Sequence, residues 1–194
     1  MISAALVKEL RDKVGVSMMD CKRALVETNG DIEKAITELR KQGAAKAEKK
    51  AERSAKEGFI GSYVHSNGKI GIMVELNCET DFVAKNPGFR EFAKDVAMHI
   101  AAANPSYLTR EDVPEDIISR EKEIHLAQIK NKPQDIAEKI IIGKMNKFYS
   151  GSCLMEQFFI KDDKLTIKEL LTNKVNELGE NLLIKRFSRI DIGQ

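Results

Sequence analysis

The chain has 194 residues, of which 42% are hydrophobic and 32% charged, a balance that predicts a soluble globular protein with a buried core. Its 32 Lys and Arg residues nearly cancel its 30 Asp and Glu residues, which argues against binding of nucleic acid or membranes through overall charge. The sequence contains no apolar run near the roughly 18 residues of a membrane span and no signal-peptide pattern, so we expect a cytoplasmic location.

Residues 1–43 predict a compact bundle of three short helices. Ser17 begins a capping-box pattern at the start of the second helix, and Asp31 is the predicted cap of the third. The predicted helix ends are Gly15, Asn29-Gly30 and Gly43. The bundle resembles the ubiquitin-associated type, and we expect it to be a separate docking domain.

Residues 44–57, AAKAEKKAERSAKE, predict a charged linker between two domains. Alanine, lysine and glutamate favour helix, but no large apolar side chain is present to pack against a core. The lysines could form a nucleic-acid patch; the interleaved glutamates and the absence of aromatic residues favour a plain linker that is helical in part.

Residues 58–194 predict an α+β core domain in which an antiparallel sheet packs against helices on one side. Apolar runs flank Ser66-Asn67-Gly68 and indicate a β-hairpin. NCETDFVAKN at 77–86 then predicts a polar loop with one unexplained apolar residue, Phe82. The later elements are a helix from Phe89 to Ala101, helices opened by Pro114 and Pro133, a strand at 153–160, a turn at Asp162-Asp163, a helix at 166–178 and a strand at 182–192.

The sequence contains few residues in arrangements suited to catalysis. Cys78 lies beside two acids, which raise a thiol pKa and so oppose activation as a nucleophile. His99 lies at helical spacing among small residues and is expected to be structural. Three dispersed cysteines and three histidines lack metal-ligand spacing, so we expect reduced cysteines, no metal and no cofactor.

Three collinear stretches nevertheless resemble one family, the elongation factor Ts family. They are MMDCKRALVETNGDIEKAI at 18–36, HSNGKIGIMVELNCETDFVAKN at 65–86 and MHIAAANP at 98–105. The resemblance implies a factor of protein biosynthesis that acts as guanine-nucleotide exchange factor for elongation factor Tu. This sequence departs from the family pattern at Gln157-Phe158, where family members commonly have Gln-Pro.

The resemblance also implies roles for particular residues. A segment that enters the G domain of the partner and disturbs its magnesium site would consist of Thr80, Asp81, Phe82 and Val83. Further partner contacts would be made by Arg11, Met18, Met19 and His65. Long family members carry a duplicated core half that this chain lacks, which implies a homodimer with one half from each chain.

Other interpretations remain open at the level of sequence. Phe82 could cap the local core as a staple against the following helix. The chain could be an adaptor whose ubiquitin-associated-type bundle binds its partner alone, with residues 77–86 dispensable. It could also be a nucleic-acid-binding translation protein, whose binding would depend steeply on salt through the linker lysines.

Overall fold

The structure is a computed structural model and describes residues 2–129 and 133–193. The helices are α1 (Ala4–Val14), α2 (Met18–Glu27), α3 (Ile32–Ala51), α4 (Asp81–Lys85), α5 (Pro87–Ala103), α6 (Glu115–Gln128), α7 (Gln134–Ser152) and α8 (Ile167–Leu178). The strands are β1 (Glu57–Val64), β2 (Ile70–Cys78), β3 (Phe158–Phe159), β4 (Asp162–Thr166) and β5 (Leu183–Asp191). Helices and antiparallel strands combine as the α+β class predicted from the sequence.

Helices α1 to α3 enclose a small apolar cluster of their own around Leu10, Cys21 and Leu25, which are fully buried. The predicted caps are present: the Ser17 hydroxyl accepts from the Asp20 amide at 3.1 Å, and Asp31 accepts from the Lys34 amide at 3.0 Å. This cluster is separate from the larger core of the sheet. The division of the chain into domains at 43 and 57 stays a prediction.

The expected end of the third helix at Gly43 is wrong, because α3 continues to Ala51. Small residues explain the difference. A Cβ at Gly43 would lie 2.7 Å from the end of the Asn176 side chain of α8, so a larger residue would require that side chain to move, and Ala47 packs against the main core. Residues 44–51 of the predicted linker are therefore helical, which agrees with the expectation of a partly helical stretch, and most of their side chains are exposed.

The main sheet has the strand order β1-β2-β5 and is antiparallel throughout. Its inner face buries Ile72, Val74 and Leu76 against α5, whose own stripe is buried from Phe89 to Ala101. Helix α8 adds Ile167 and Val175 to the same core. The other face carries apolar side chains that are each more than half exposed: Ile60, Val64, Met73 and Ile190.

The predicted strand at 153–160 is wrong over most of its length. Leu154–Glu156 form a 3₁₀ turn, and only Phe158–Phe159 pair as β3 with β4. The turn buries Leu154 and also the polar Gln157, whose amide donates to the Gly151 carbonyl at 2.7 Å. The apolar residues of 153–160 are therefore compatible with a strand in sequence, although Leu154 reaches the core from a turn. The predicted turn at Asp162-Asp163 is also wrong, since β4 begins there.

Candidate functional site

Phe82 lies on α4, a helix of five residues that begins directly after β2, where the sequence predicted a loop. Its side chain is 81% exposed, although phenylalanine is usually buried. Of the five residues only Ala84 is buried. An exposed ring does not cap the local core, so the staple interpretation is wrong.

The polar neighbours of Phe82 hold the short helix together. The Thr80 hydroxyl caps it by accepting from the Val83 amide at 3.4 Å. Asp81 in the first turn pairs with Lys85, with 2.6 Å between Oδ2 and Nζ. The hydrogen bond from Lys85 lowers the pKa of the Asp81 carboxyl, so Asp81 is ionised at neutral pH. Phe82 thus projects from a short helix that is held by the Thr80 cap and by the Asp81–Lys85 ion pair.

A carboxylate from the other end of the chain holds the entry to α4. Glu180 lies in the turn between α8 and β5, and its Oε2 accepts from the backbone amides of Glu79 and Thr80, both at 3.0 Å. Its Oε1 accepts from the Thr80 hydroxyl at 2.5 Å. Thr80 therefore donates to Glu180 while it caps α4. No signal in the sequence predicts this contact, because no periodic pattern links residues 100 positions apart.

The next residue, Asn181, completes the connection. Its backbone amide donates to Glu79 Oε1 at 2.6 Å, and its side-chain amide donates to the Arg53 carbonyl at 2.8 Å and the Ala51 carbonyl at 3.3 Å. Asn181 is buried, so these bonds satisfy an amide shielded from water. The end of α3 and the start of α4 are thereby bonded to one turn.

The residues implied as a docking patch lie on the bundle, apart from α4. Arg11 lies in the last turn of α1 and lines a cleft with Ser17 and Asp20. Met18 and Met19 open α2 and are 40% and 72% exposed. Neither methionine belongs to the core of the bundle among the described residues. Arg11, Met18 and Met19 are hence available to a partner.

His65 lies at the far end of the β1–β2 hairpin from α4. The backbone amide of His65 donates to the Ile70 carbonyl at 2.9 Å, so it begins the turn, and Tyr63 Oη lies 3.1 Å from its Nδ1. Phe82 follows the opposite end of β2, about 25 Å away along a strand of this length. His65 and Phe82 of one chain therefore do not belong to a single contact point.

The candidate residues for covalent chemistry are buried. Burial raises the pKa of the Cys78 and Cys153 thiols to about 11, and both stay protonated at neutral pH. Over 2–129 and 133–193, no three His, Cys, Asp or Glu side chains are grouped to hold a metal ion. In the same ranges, no helix has the length and hydropathy needed to cross a membrane.

Three of the predicted linker cations contact groups of this chain. Lys46 pairs with Asp20 at 3.4 Å, Lys50 donates to the Val175 carbonyl at 3.4 Å, and Arg53 lies 3.5 Å from Glu79. The charged stretch thus connects the bundle to α8 and β2.

Comparison with known proteins identifies relatives over the whole chain. The family model described as "Elongation factor TS" matches residues 4–194. The elongation factor Ts of Solidesulfovibrio magneticus is 57% identical, with 100% of this chain and 98% of that protein covered. Those of Syntrophomonas wolfei subsp. wolfei and Fervidobacterium nodosum are each 55% identical over 100% of this chain, and 92% and 99% of their own lengths are covered.

Proposed function

The chain belongs to the elongation factor Ts family, and on that premise we propose that it is a guanine-nucleotide exchange factor in translation. It binds elongation factor Tu in the GDP-bound form, promotes release of GDP and leaves a nucleotide-free complex that GTP then resolves. No covalent bond changes, so the chain is not an enzyme. Exchange requires only tighter binding to the nucleotide-free partner, and linkage makes the antagonism with nucleotide reciprocal.

The observation that carries this proposal is the exposed Phe82 ring on a helix fixed at its start. In the proposed mechanism the ring enters the G domain of elongation factor Tu and disturbs its magnesium and phosphate site. Asp81 is its polar companion, and Thr80 and Val83 hold the helix. Mg²⁺ requires near-ideal octahedral geometry, so a small displacement of its ligands is costly.

The free energy of burying one side chain limits how far Phe82 alone can weaken the binding of nucleotide. Burial of one phenylalanine side chain stabilises a complex by about 2–3 kcal/mol. This corresponds to about a hundredfold in affinity. A nanomolar nucleotide is bound by about 12 kcal/mol, so the rest of the antagonism needs a wider interface.

We assign that wider interface to the bundle and the hairpin tip. Arg11, Met18 and Met19 dock on the G domain and supply affinity, and their exposure supports this role. His65 makes a further contact at a separate place, because it lies far from Phe82 in the same chain. The proposal therefore separates docking by the bundle from displacement of magnesium by α4.

We also propose that two copies of the chain associate through the outer face of the sheet. Ile60, Val64, Met73 and Ile190 are each more than half exposed there, which is unusual for neighbouring apolar side chains on one sheet face. Glu75 and Arg186 also lie on this face and pair across β2 and β5 at 2.6 Å, so these two opposite charges compensate each other. Two such faces stack as a sandwich with two-fold symmetry.

Fluorescent GDP bound to elongation factor Tu tests the exchange function. Release is followed in a stopped-flow instrument with excess unlabelled GDP, with and without this protein. We expect acceleration that saturates with protein concentration. Removal of Mg²⁺ by EDTA should accelerate release by itself and leave the protein little further acceleration to add. A release rate in Mg²⁺ that is independent of the protein contradicts the proposal.

A further inference from the structure

The start of α4 depends on polar contacts more than on apolar burial. Within the helix only Ala84 is buried, and Phe82 projects into solvent. Arg90 Nε donates to the Ala84 carbonyl at 3.2 Å and holds the last turn. At the first turn, Glu180 receives three hydrogen bonds from Glu79 and Thr80. Hydrogen bonds to an ionised carboxylate are stronger than neutral ones, so removal of Glu180 should loosen this turn most.

Glu180 is itself held in place. Gly179 ends α8 with φ 79°, a left-handed value that suits glycine, and its amide donates to the Val175 carbonyl. Leu182 and Ile184 on the other side of Glu180 are buried in the main core. The turn that carries the Glu180 carboxylate is thus fixed at both ends. The hydrogen bonds of Glu180 therefore hold the start of α4 at a defined position relative to the core.

From this arrangement we infer that Glu180 is the positioning residue of the exchange reaction. Its carboxylate sets the direction in which α4 presents Phe82, and Asn181 bonds the same turn to the end of α3, which carries the docking bundle. The inference rests on the proposed exchange function. Glu180 acts through Phe82 and does not itself touch the partner, so its loss affects release from the bound complex and spares docking.

The experiment measures release of fluorescent GDP from elongation factor Tu over a range of protein concentrations. Glu180→Ala should lower the saturating release rate about tenfold, the effect of losing about one charge-assisted hydrogen bond. The half-saturating concentration should change by less than about twofold, since the bundle is untouched. Glu177→Ala on α8 is the matched control, because Glu177 pairs only with Lys174 at the surface among the described residues. It should release at the wild-type rate.

A double variant separates positioning from general damage to the fold. If Glu180 acts through Phe82, Glu180→Ala combined with Phe82→Ala should release no more slowly than Phe82→Ala alone. Multiplication of the two effects overturns the inference, as does a wild-type rate for Glu180→Ala. Thermal unfolding is recorded for each variant. Should Glu180→Ala not fold, Glu180→Gln replaces it, since it keeps one acceptor oxygen and should be slowed severalfold against Glu177→Gln.

The outcomes also distinguish this inference from the function on which it rests. A wild-type rate for Phe82→Ala removes Phe82 from the proposed function. A slow Phe82→Ala beside a wild-type Glu180→Ala retains the function and removes only the positioning role. Equal loss of affinity and saturating rate in Glu180→Ala contradicts the role as well, because it indicates a change in the docking surface.

Discussion

Phe82 and His99 are two side chains placed against the usual preference of their type. Phe82 is 81% exposed, and His99 is fully buried in α5. The exposed ring forgoes the free energy of burial in the free protein and can gain it on binding a partner. Burial of the His99 imidazole disfavours its charged form, so it lowers the pKa of this side chain. The exposure of Phe82 and the burial of His99 therefore each lead to a separate prediction.

The hydrogen bonds around His99 fix its tautomer. Gln157 donates its amide to the Gly151 carbonyl, so its Oε1 faces His99 Nε2, which lies at 3.0 Å and must carry the proton. His99 Nδ1 is buried without a partner among the described residues, and the aromatic neighbour is Phe159. Burial lowers the pKa of His99, although the bond to Gln157 opposes the shift.

The sign of the pH dependence follows from the lowered pKa. The unfolded chain has an ordinary histidine pKa of about 6.5 and binds a proton that folded His99 does not. Stability from neutral His99 is fully present above about pH 6.5 and is lost as the pH falls below it. Urea unfolding from pH 7.5 to 5 should show this loss, and His99→Gln should show a smaller one. Identical pH slopes for the two proteins would contradict the prediction.

At the scale of elements, the position of strand β1 against helix α5 depends on a close approach of the two backbones. A Cβ at Gly61 would lie 2.8 Å from the Ala93 side chain and 3.0 Å from its backbone, so β1 and α5 meet without a side chain between them. Gly43 lies close to α8 in a less restrictive way, because its Cβ would meet the flexible end of the Asn176 side chain and no backbone atom. These two contacts bring both ends of the predicted linker onto the core.

Gly61→Ala tests this packing. The added methyl group must displace α5, and we expect the free energy of unfolding to fall by about 1–3 kcal/mol. Gly143→Ala is the control on the exposed face of α7, where nothing lies within 4 Å of the new methyl group. It should be neutral or slightly stabilising, since alanine loses less backbone entropy on folding. Equal unfolding midpoints for the two variants in urea would refute the close contact.

The proposed docking role of helix α2 leads to a prediction about Met18 and Met19. Met18→Ala combined with Met19→Ala removes exposed apolar surface, so the half-saturating concentration for GDP release should rise about tenfold. The saturating rate should change little, because α4 is unaltered. Ile142→Ala removes an exposed aliphatic side chain from α7 instead and should behave as wild type. An unchanged affinity of the double variant would remove the bundle from the interface.

The elements that could be predicted from the sequence are those whose ends are determined by neighbouring residues. The caps at Ser17 and Asp31, the hairpin turn and the strand at 183–191 all follow from neighbouring residues. The end of α3 and the short β3 do not, because they depend on partners distant in sequence: α3 approaches Asn176, and the turn before β3 donates its Leu154 and Met155 amides to the Tyr107 and Leu108 carbonyls. In the site, the resemblance singled out Phe82, but the hydrogen bonds of Glu180 depend on contacts 100 residues away.

At the scale of the whole molecule, the outer face of the sheet is the surface through which we propose that two copies associate. Apolar side chains there come from all three strands, with Met73 on the central one. The proposed second copy removes them from water and presents two α4 helices and two bundles in one particle.

Sedimentation equilibrium tests the dimer. We expect twice the mass of one chain, 21.8 kDa, across micromolar concentrations. Met73→Lys places a charge at the centre of the proposed contact and should shift the mass towards the monomer, since a buried unpaired charge is costly. Ile142→Lys, on an exposed part of α7, should leave the dimer intact. A monomeric mass for the wild type in this range would contradict the proposal.

The central claim is that Phe82 displaces nucleotide from elongation factor Tu, and the saturating rate of GDP release tests it most directly. Phe82→Ala should fold as wild type, because the ring packs against little of its own chain, and should release GDP about ten- to a hundredfold more slowly. Phe158→Ala, which truncates another exposed phenylalanine, should keep the wild-type rate. A wild-type rate for Phe82→Ala at saturating protein would contradict the account.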